Sequence, residues 1–387
     1  MQDERKRILQ LVENGTISAQ EAITLLEKLD QKGVKSEDAP KKEEVKQSTH
    51  EQEQLKEEQT YKHTQEDEKS KKEDEFINDI KRDFNEFGTK FMDFIGAAVN
   101  KVRDIDFSSM TSGNNKFSWI EPIENTLFDN ISVDMPNGQL TIRDSVDGSA
   151  YLEVSATPLF RVGAQKDLSN EEIKKQFNCG NDAGTLRIHN TAKMLKTDVI
   201  MYVPKGDYRR IRANLFNGGF TLHSINADQV NVETKNGSIH ISDVTFDSVD
   251  VESANGSIDI RDVAGREVEA ETMNGRVYID GSLRSIEAKS LNGHVVVTSK
   301  SQQTERIKAN TAAGTIELYV PESVSLIGEL SSTFGKMDVV LGDVEFLRED
   351  NQMFNKSVRF RKVVPDAHQL TIDGETQTGS VIVRYTV

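Results

Sequence analysis

Residues 228–260 read DQVNVETKNGSIHISDVTFDSVDVESANGSIDI, and one phrase occurs in them twice. Val230-x-Val232-Glu233-x-x-Asn236-Gly237-Ser238-Ile239-x-Ile241 returns as Val249-x-Val251-Glu252-x-x-Asn255-Gly256-Ser257-Ile258-x-Ile260. Outward from this pair, Asn-Gly steps stand at 217–218, 236–237, 255–256, 274–275 and 292–293, degrading to Ala313-Gly314 and Phe334-Gly335. The intervals are 19, 19, 19, 18, 21 and 21 residues. Apolar residues recur three and five positions after each step, four before it, and six before every step but the last. Each segment therefore alternates apolar with polar, the pattern of a strand buried on one face.

A unit this short cannot bury its own inner face, but a stack of units can. The fixed period predicts a mainly β fold, a single-stranded β-solenoid of about 19-residue coils, seven of them stacked in chain order. Asn-Gly hairpins of an antiparallel sheet are the rival geometry. In the stack, Asn217, Asn236, Asn255, Asn274 and Asn292 form an amide ladder. Thr234, Ser253, Thr272, Ser290, Thr311 and Ser332 form a hydroxyl ladder. The glycines supply positive φ at tight corners.

Open solenoid ends expose strand edges and need caps. Residues 118–163 carry irregular strands with Asn137-Gly138 in the same frame. An insertion follows, with a helix expected at 170–177 behind Ser169-x-x-Glu172. Thr378-Gly379 opens a last strand after a break at about 343–368. The solenoid and its caps span 118–387.

Residues 1–32 predict two short helices. The first stops at Asn14-Gly15, and Ser18-x-x-Glu21 caps the second. About 30 residues bury too little surface to stand alone. Leu11, Ile17, Leu25 and Leu26 are therefore the expected docking or assembly face. A DNA-reading hairpin is the alternative, and its second helix has one Lys and no Arg. Residues 33–75 are a charged tether with too few apolar residues to fold. His50 and His63 lie in it without metal-ligand spacing. From 76 to 108 an apolar stripe at helical spacing includes Phe84, Phe87, Phe91 and Phe94. That helix either packs within the protein or self-associates, or lies in a membrane interface.

Forty-eight Lys and Arg stand against 64 Asp and Glu, a net charge of −16. That balance argues against general nucleic-acid binding. The lone Cys179 rules out an intramolecular disulfide framework and a cysteine zinc site. The polar N-terminus has no signal-peptide pattern, and no apolar run is long enough to span a membrane. A cytoplasmic protein, or one peripheral to the cytoplasmic membrane, is expected.

The E-x-G-x-I-S-x-x-E-A turn of the N-terminal hairpin resembles the bacterial SHOCT-like domain. The T/S-x-N-G-x-I/V-x-I/V repeat, over roughly 125–385, resembles the bacterial "putative adhesin" β-strand-repeat family. The two joined by a charged linker resemble the YvlB- and LiaX-type arrangement. The resemblance implies an envelope-stress context, with cationic antimicrobial peptides sensed at the cell envelope and a surface location for some members. It carries over no catalytic residues.

No phosphate-binding loop, nucleophile elbow or H-E-x-x-H motif occurs. Asp243, Asp262 and Asp280 follow the repeat, so stacking them makes an acidic ladder: a solvated turn, or a cation or catalytic site. Arg261, Arg266, Arg276 and Arg284 are candidate partners for these acids. His240 and His294 fall at different offsets. Trp119, Phe216 and Phe220 read as core or cap rather than as a sugar platform. No cofactor and no metal are expected. Three functions stay open. The first is a non-enzymatic scaffold that assembles through its hairpin, presents an acidic surface to cationic peptides and touches membrane peripherally. The second is a carbohydrate-active solenoid enzyme using the three aspartates. The third is a cytosolic regulator docking on a membrane protein. Residues 121–387 hold 28 basic and 38 acidic residues, which favours cationic partners.

Overall fold

The computed structural model describes residues 116–124, 126–159, 170–351 and 356–386. The hairpin at 1–32, with Leu11, Ile17, Leu25 and Leu26, lies outside the described residues. So do the tether at 33–75 and the stripe of Phe84, Phe87, Phe91 and Phe94.

Each Asn-Gly step of the repeat divides a coil into two strands. The strand before it joins a first ladder and the strand after it joins a second. The central first-ladder strands are β2 (Asn130–Asn137), β8 (Asp207–Asn217), β10 (Asn226–Asn236) and β12 (Thr245–Asn255). β13 (Ile258–Asn274) and β14 (Val277–Asn292) run through both ladders, and β16 (Arg306–Ala313) follows in the first. The second ladder contains β3 (Leu140–Asp144), β9 (Phe220–His223), β11 (Ile239–Ser242), β15 (Val295–Ser299) and β17 (Ile316–Val320). Pairing is parallel, with equivalent residues in register: Asn236 opposite Asn255, Val230 opposite Val249, Ile239 opposite Ile258. These are the pairings of a solenoid and not of hairpins. The apolar rows Ile211, Val230, Val249, Val268, Ile286, Ile307 and Phe220, Ile239, Ile258, Val277, Val295, Ile316 are all 0–1 % exposed. Removing such rows from water drives the stacking.

Coil order departs from chain order. β18 (Ser325–Ser332) and β19 (Met337–Val340) do not lie on β16 and β17. The last coil, β22 (Gln369–Thr378) and β23 (Val381–Tyr385), is inserted between them, parallel to both neighbours. Thr378-Gly379 is thus the eighth in space of the nine corners that carry a glycine step, where it was expected at the far end. Antiparallel strands cap the ends. β5 (Phe177–Asp182) covers β6 (Thr185–Asn190), which lies on β2. β1 (Phe117–Pro122) and β4 (Tyr151–Pro158) cover β7 (Leu195–Val203), which lies on β3. β20 (Glu345–Asn351) and β21 (Lys356–Lys362) cover β18. The insertion's described helix is α1 (Asn170–Lys174), shorter than the expected 170–177 because the chain turns at Lys175 and Gln176 into β5.

The corner glycines do a different job from the one expected. Among them only Gly138 and Gly379 have φ between +20° and +160°, at 122° and 149°. The others are needed for close approach. A Cβ on Gly237, Gly256 or Gly275 would lie 2.0–2.1 Å from the preceding corner's carbonyl oxygen. Positive φ sits instead at the opposite corner, at Ser224, Asp243 and Asp262 (56°, 56° and 51°), where short polar side chains tolerate it. The 18-residue coil arises there. A register shift between Ile260 and Val263 sets Val263 against Gly281, deleting one corner residue from β14.

The hydroxyl row is also corrected. Its members stack in register but do not bond to one another. Each donates to the glycine carbonyl of the preceding corner: Thr234 to Gly218 at 2.8 Å, Ser253 to Gly237 at 3.0 Å, Thr272 to Gly256 at 2.9 Å. Buried carbonyls that must approach closely are thereby satisfied.

Candidate functional site

Asn217, Asn236, Asn255, Asn274 and Asn292 each donate from Nδ2 to the Oδ1 of the asparagine one coil back, at 2.7–3.0 Å. Asn137 extends the row and donates to the Lys193 carbonyl at 2.8 Å. This edge is occupied with holding the coils in register.

The three corner aspartates do not gather into a ligand cage. Asp243 accepts a hydrogen bond from Ser224 Oγ at 2.6 Å. Lys300 Nζ bridges Asp262 and Asp280, at 3.0 and 2.6 Å. The shortened coil moves Asp280 out of the corner row and into register with Thr298. Among the described residues no group of three His, Cys, Asp or Glu could hold a metal ion. The arginines pair with other acids: Arg261 and Arg276 with Asp259, Arg266 with Asp247, Arg284 with Glu305. Tyr278 stands between Arg261 and Arg276, 4.6 and 5.3 Å from its ring centre. On the second-ladder side Asp259, Arg261, Arg276, Asp280 and Lys300 are thus engaged in ion pairs.

Phe220 is core and Trp119 packs edge-on against Phe177 in the cap, 5.7 Å between ring centres. Phe216 lies on the outer side under Lys235, at 4.8 Å. His294 Nδ1 accepts the Thr315 amide at 3.1 Å, and His240 stands on β11 in another row. Cys179 is half-buried, and burial, with Glu121 adding, pushes its thiol up to about 11.

The outer face of the first ladder is different. One row in register reads Glu233, Glu252, Glu271, Lys289, Asn310, Glu375, Ser331. The adjacent row reads Asn231, Asp250, Glu269, Glu287, Lys308, Asp373, Glu329. From β10 to β18 these rows hold nine carboxylates and two lysines, and on β8 the adjacent row continues to Arg212. Like charges opposite one another in neighbouring strands repel. Lys289 answers part of that repulsion, with Glu271, Glu287 and Glu269 at 2.5, 2.9 and 3.4 Å. It is 7 % exposed. Burial opposes its charge, but the carboxylates, Glu271 foremost, hold its pKa above the usual lysine value. Lys308 adds a contact to Glu287 at 3.0 Å.

Beyond Lys308 the compensation thins, with Arg359 on β21 in register with Glu329. Burial, with repulsion from Asp373, pushes the Glu375 carboxyl up to about 8, and burial raises Asp373 as well. Glu375 stands in register with Asn310, whose buried Oδ1 accepts no hydrogen bond in this structure. In the folded chain Glu375 keeps its proton to about pH 8, against 4.5 for a free carboxyl. The folded state therefore binds more protons than the unfolded state across that window, and stability falls as pH rises through it. Glu375→Gln is expected to flatten this loss and to add ~1–3 kcal/mol above pH 8, read by urea denaturation at several pH values.

The described residues thus form a register-locked β-solenoid with two carboxylate-rich rows on the outer face of its first ladder. The Toastrack DUF4097 family model matches residues 128–373, and a SHOCT-like domain model matches residues 3–33. A Bacillus subtilis (strain 168) protein described as uncharacterised protein YvlB is 34 % identical over 391 residues, covering 100 % of this chain and 99 % of its own. The chain belongs to the Toastrack DUF4097 family. Solved structures with similarity include a putative adhesin from Bacteroides fragilis, at 13 % identity and TM-score 0.40, covering 71 % of this chain and 99 % of that one. Another is a putative lipid binding protein from Parabacteroides distasonis, at 10 % identity and TM-score 0.38, covering 71 % and 98 %. Among the described residues no helix is long and apolar enough to cross a membrane.

Proposed function

We propose that the chain is a non-enzymatic binding protein of the bacterial envelope stress response, whose solenoid offers the acidic outer face of its first ladder to cationic peptides. The carrying observation is the excess of carboxylates in the two adjacent rows, which a cationic ligand relieves. The corner aspartates, engaged by Ser224 and Lys300, favour this reading over polysaccharide cleavage. The hairpin face of Leu11, Ile17, Leu25 and Leu26 mediates assembly or docking on a protein partner, and the Phe84, Phe87, Phe91 and Phe94 stripe provides peripheral membrane contact or further docking.

The test is fluorescence anisotropy of a labelled 20-residue Lys/Leu peptide titrated with the full chain. Affinity is expected to fall at least ~10-fold between about 20 and 300 mM salt, because screening weakens exposed charge pairs. Glu233→Lys with Glu252→Lys should lower it comparably at low salt. Binding that ignores both salt and charge reversal, or that a Gln/Leu peptide reproduces, contradicts the proposal.

A further inference from the structure

The inserted coil is held by bonds that do not depend on which chain supplies it. One wall of its slot is β16–β17, paired from Arg306 opposite Thr371 to Val320 opposite Tyr385. The other wall is β18–β19, paired from Ser325 opposite Gln369 to Val340 opposite Arg384. Only residues 321–324 join the two walls along the chain. The coil fills the slot with Leu370, Ile372, Val381 and Val383, each 0–1 % exposed. Its corner is pinned on both sides. Thr376 Oγ1 donates to the Gly314 carbonyl at 3.0 Å, and Ser332 Oγ donates to the Gly379 carbonyl at 3.0 Å.

The connection from β21 into this coil is residues 363–368. Val363 in it is 68 % exposed, and Asp366 has φ of 58°, a left-handed conformation costly for a non-glycine residue. An extended connection would release that cost while every contact of the slot is remade.

We infer that β22–β23 is an exchangeable element, and that the slot accepts the same coil from a second copy of the chain to give a reciprocal dimer. Exchange of an identical element leaves the interface chemistry unchanged, so the balance is set by concentration and by the connection. A short connection holds its own coil at an effective concentration of about millimolar, so the closed monomer dominates in dilute solution.

The test uses two full-length chains, each with Cys179→Ser, one carrying Ala313→Cys and the other Thr378→Cys. Residues 313 and 378 are in-register neighbours. Such neighbours lie ~4.8 Å apart, inside disulfide reach. The chains are mixed, unfolded, refolded together at about 100 µM and oxidised. The expected product is a disulfide-linked heterodimer on a non-reducing gel, its fraction rising about in proportion to concentration below the effective value. A chain carrying both substitutions should close its own disulfide when refolded dilute. That closure without any heterodimer from the mixture overturns the inference. So does an internal disulfide in an Ala313→Cys, Phe334→Cys chain, which would show β18–β19 closing onto β16–β17 and leaving no slot.

Discussion

Replacing Gly256 with alanine is expected to remove more than ~4 kcal/mol of stability and, in a chain of ordinary stability, to prevent folding of the solenoid. The added Cβ would stand 2.0 Å from the Gly237 carbonyl oxygen and 3.0 Å from the Ser238 nitrogen. Both obstacles are backbone, locked by the ladders on either side, and neither can rotate away. The Gly256 amide also donates to the Asn274 carbonyl at 3.0 Å, so moving the corner outward breaks the bond to the next coil. Gly206→Ala is the matched control, because nothing lies within 4 Å of its added Cβ. Thermal unfolding followed by circular dichroism reads the difference. A Gly256→Ala chain as stable as Gly206→Ala would mean that the corners do not stack as described.

Lys289→Met is the second large effect, expected to cost ~3–5 kcal/mol, because removing one partner leaves the buried Glu271 carboxylate uncompensated. Glu271, 9 % exposed, then faces Glu252 and Glu287 with its cation gone. Adding Glu271→Gln should return a substantial part of the loss, since the double variant buries one uncompensated charge fewer. Urea denaturation of the wild type, both single variants and the double variant supplies the cycle. Additive losses, with no coupling between 289 and 271, would show that the ion cluster does not govern stability here.

Much of the coil was legible because the Asn-Gly frame and its flanking apolar offsets fix which residues face inward. Val230, Val249 and Val268 are core for the same reason that Glu233, Glu252 and Glu271 are not. The order of the coils was not legible. Thr378-Gly379 and Phe334-Gly335 carry the same frame, and that frame sets a residue's place within a coil but not which coil lies above it. The role of the corner glycines was misassigned, because a repeated Asn-Gly reads as a turn signal whether the demand is positive φ or close approach. The acidic rows were within reach. A strict period puts Glu233, Glu252 and Glu271 in one stack, and the same frame places Lys289 next to them. Burial of Lys289 was not readable, since its offset is an outer one.

Parallel stacking of the coils underlies every other conclusion, and one pair of disulfide tests addresses it. In a Cys179→Ser background, Glu233→Cys with Glu252→Cys places two thiols on in-register neighbours of β10 and β12. Glu233→Cys with His240→Cys places them across the Asn236-Gly237 corner, where a hairpin would pair them. Rapid disulfide closure in the first chain and none in the second is the expected result. Closure across the corner in the second chain, with the first remaining reduced, would contradict the solenoid.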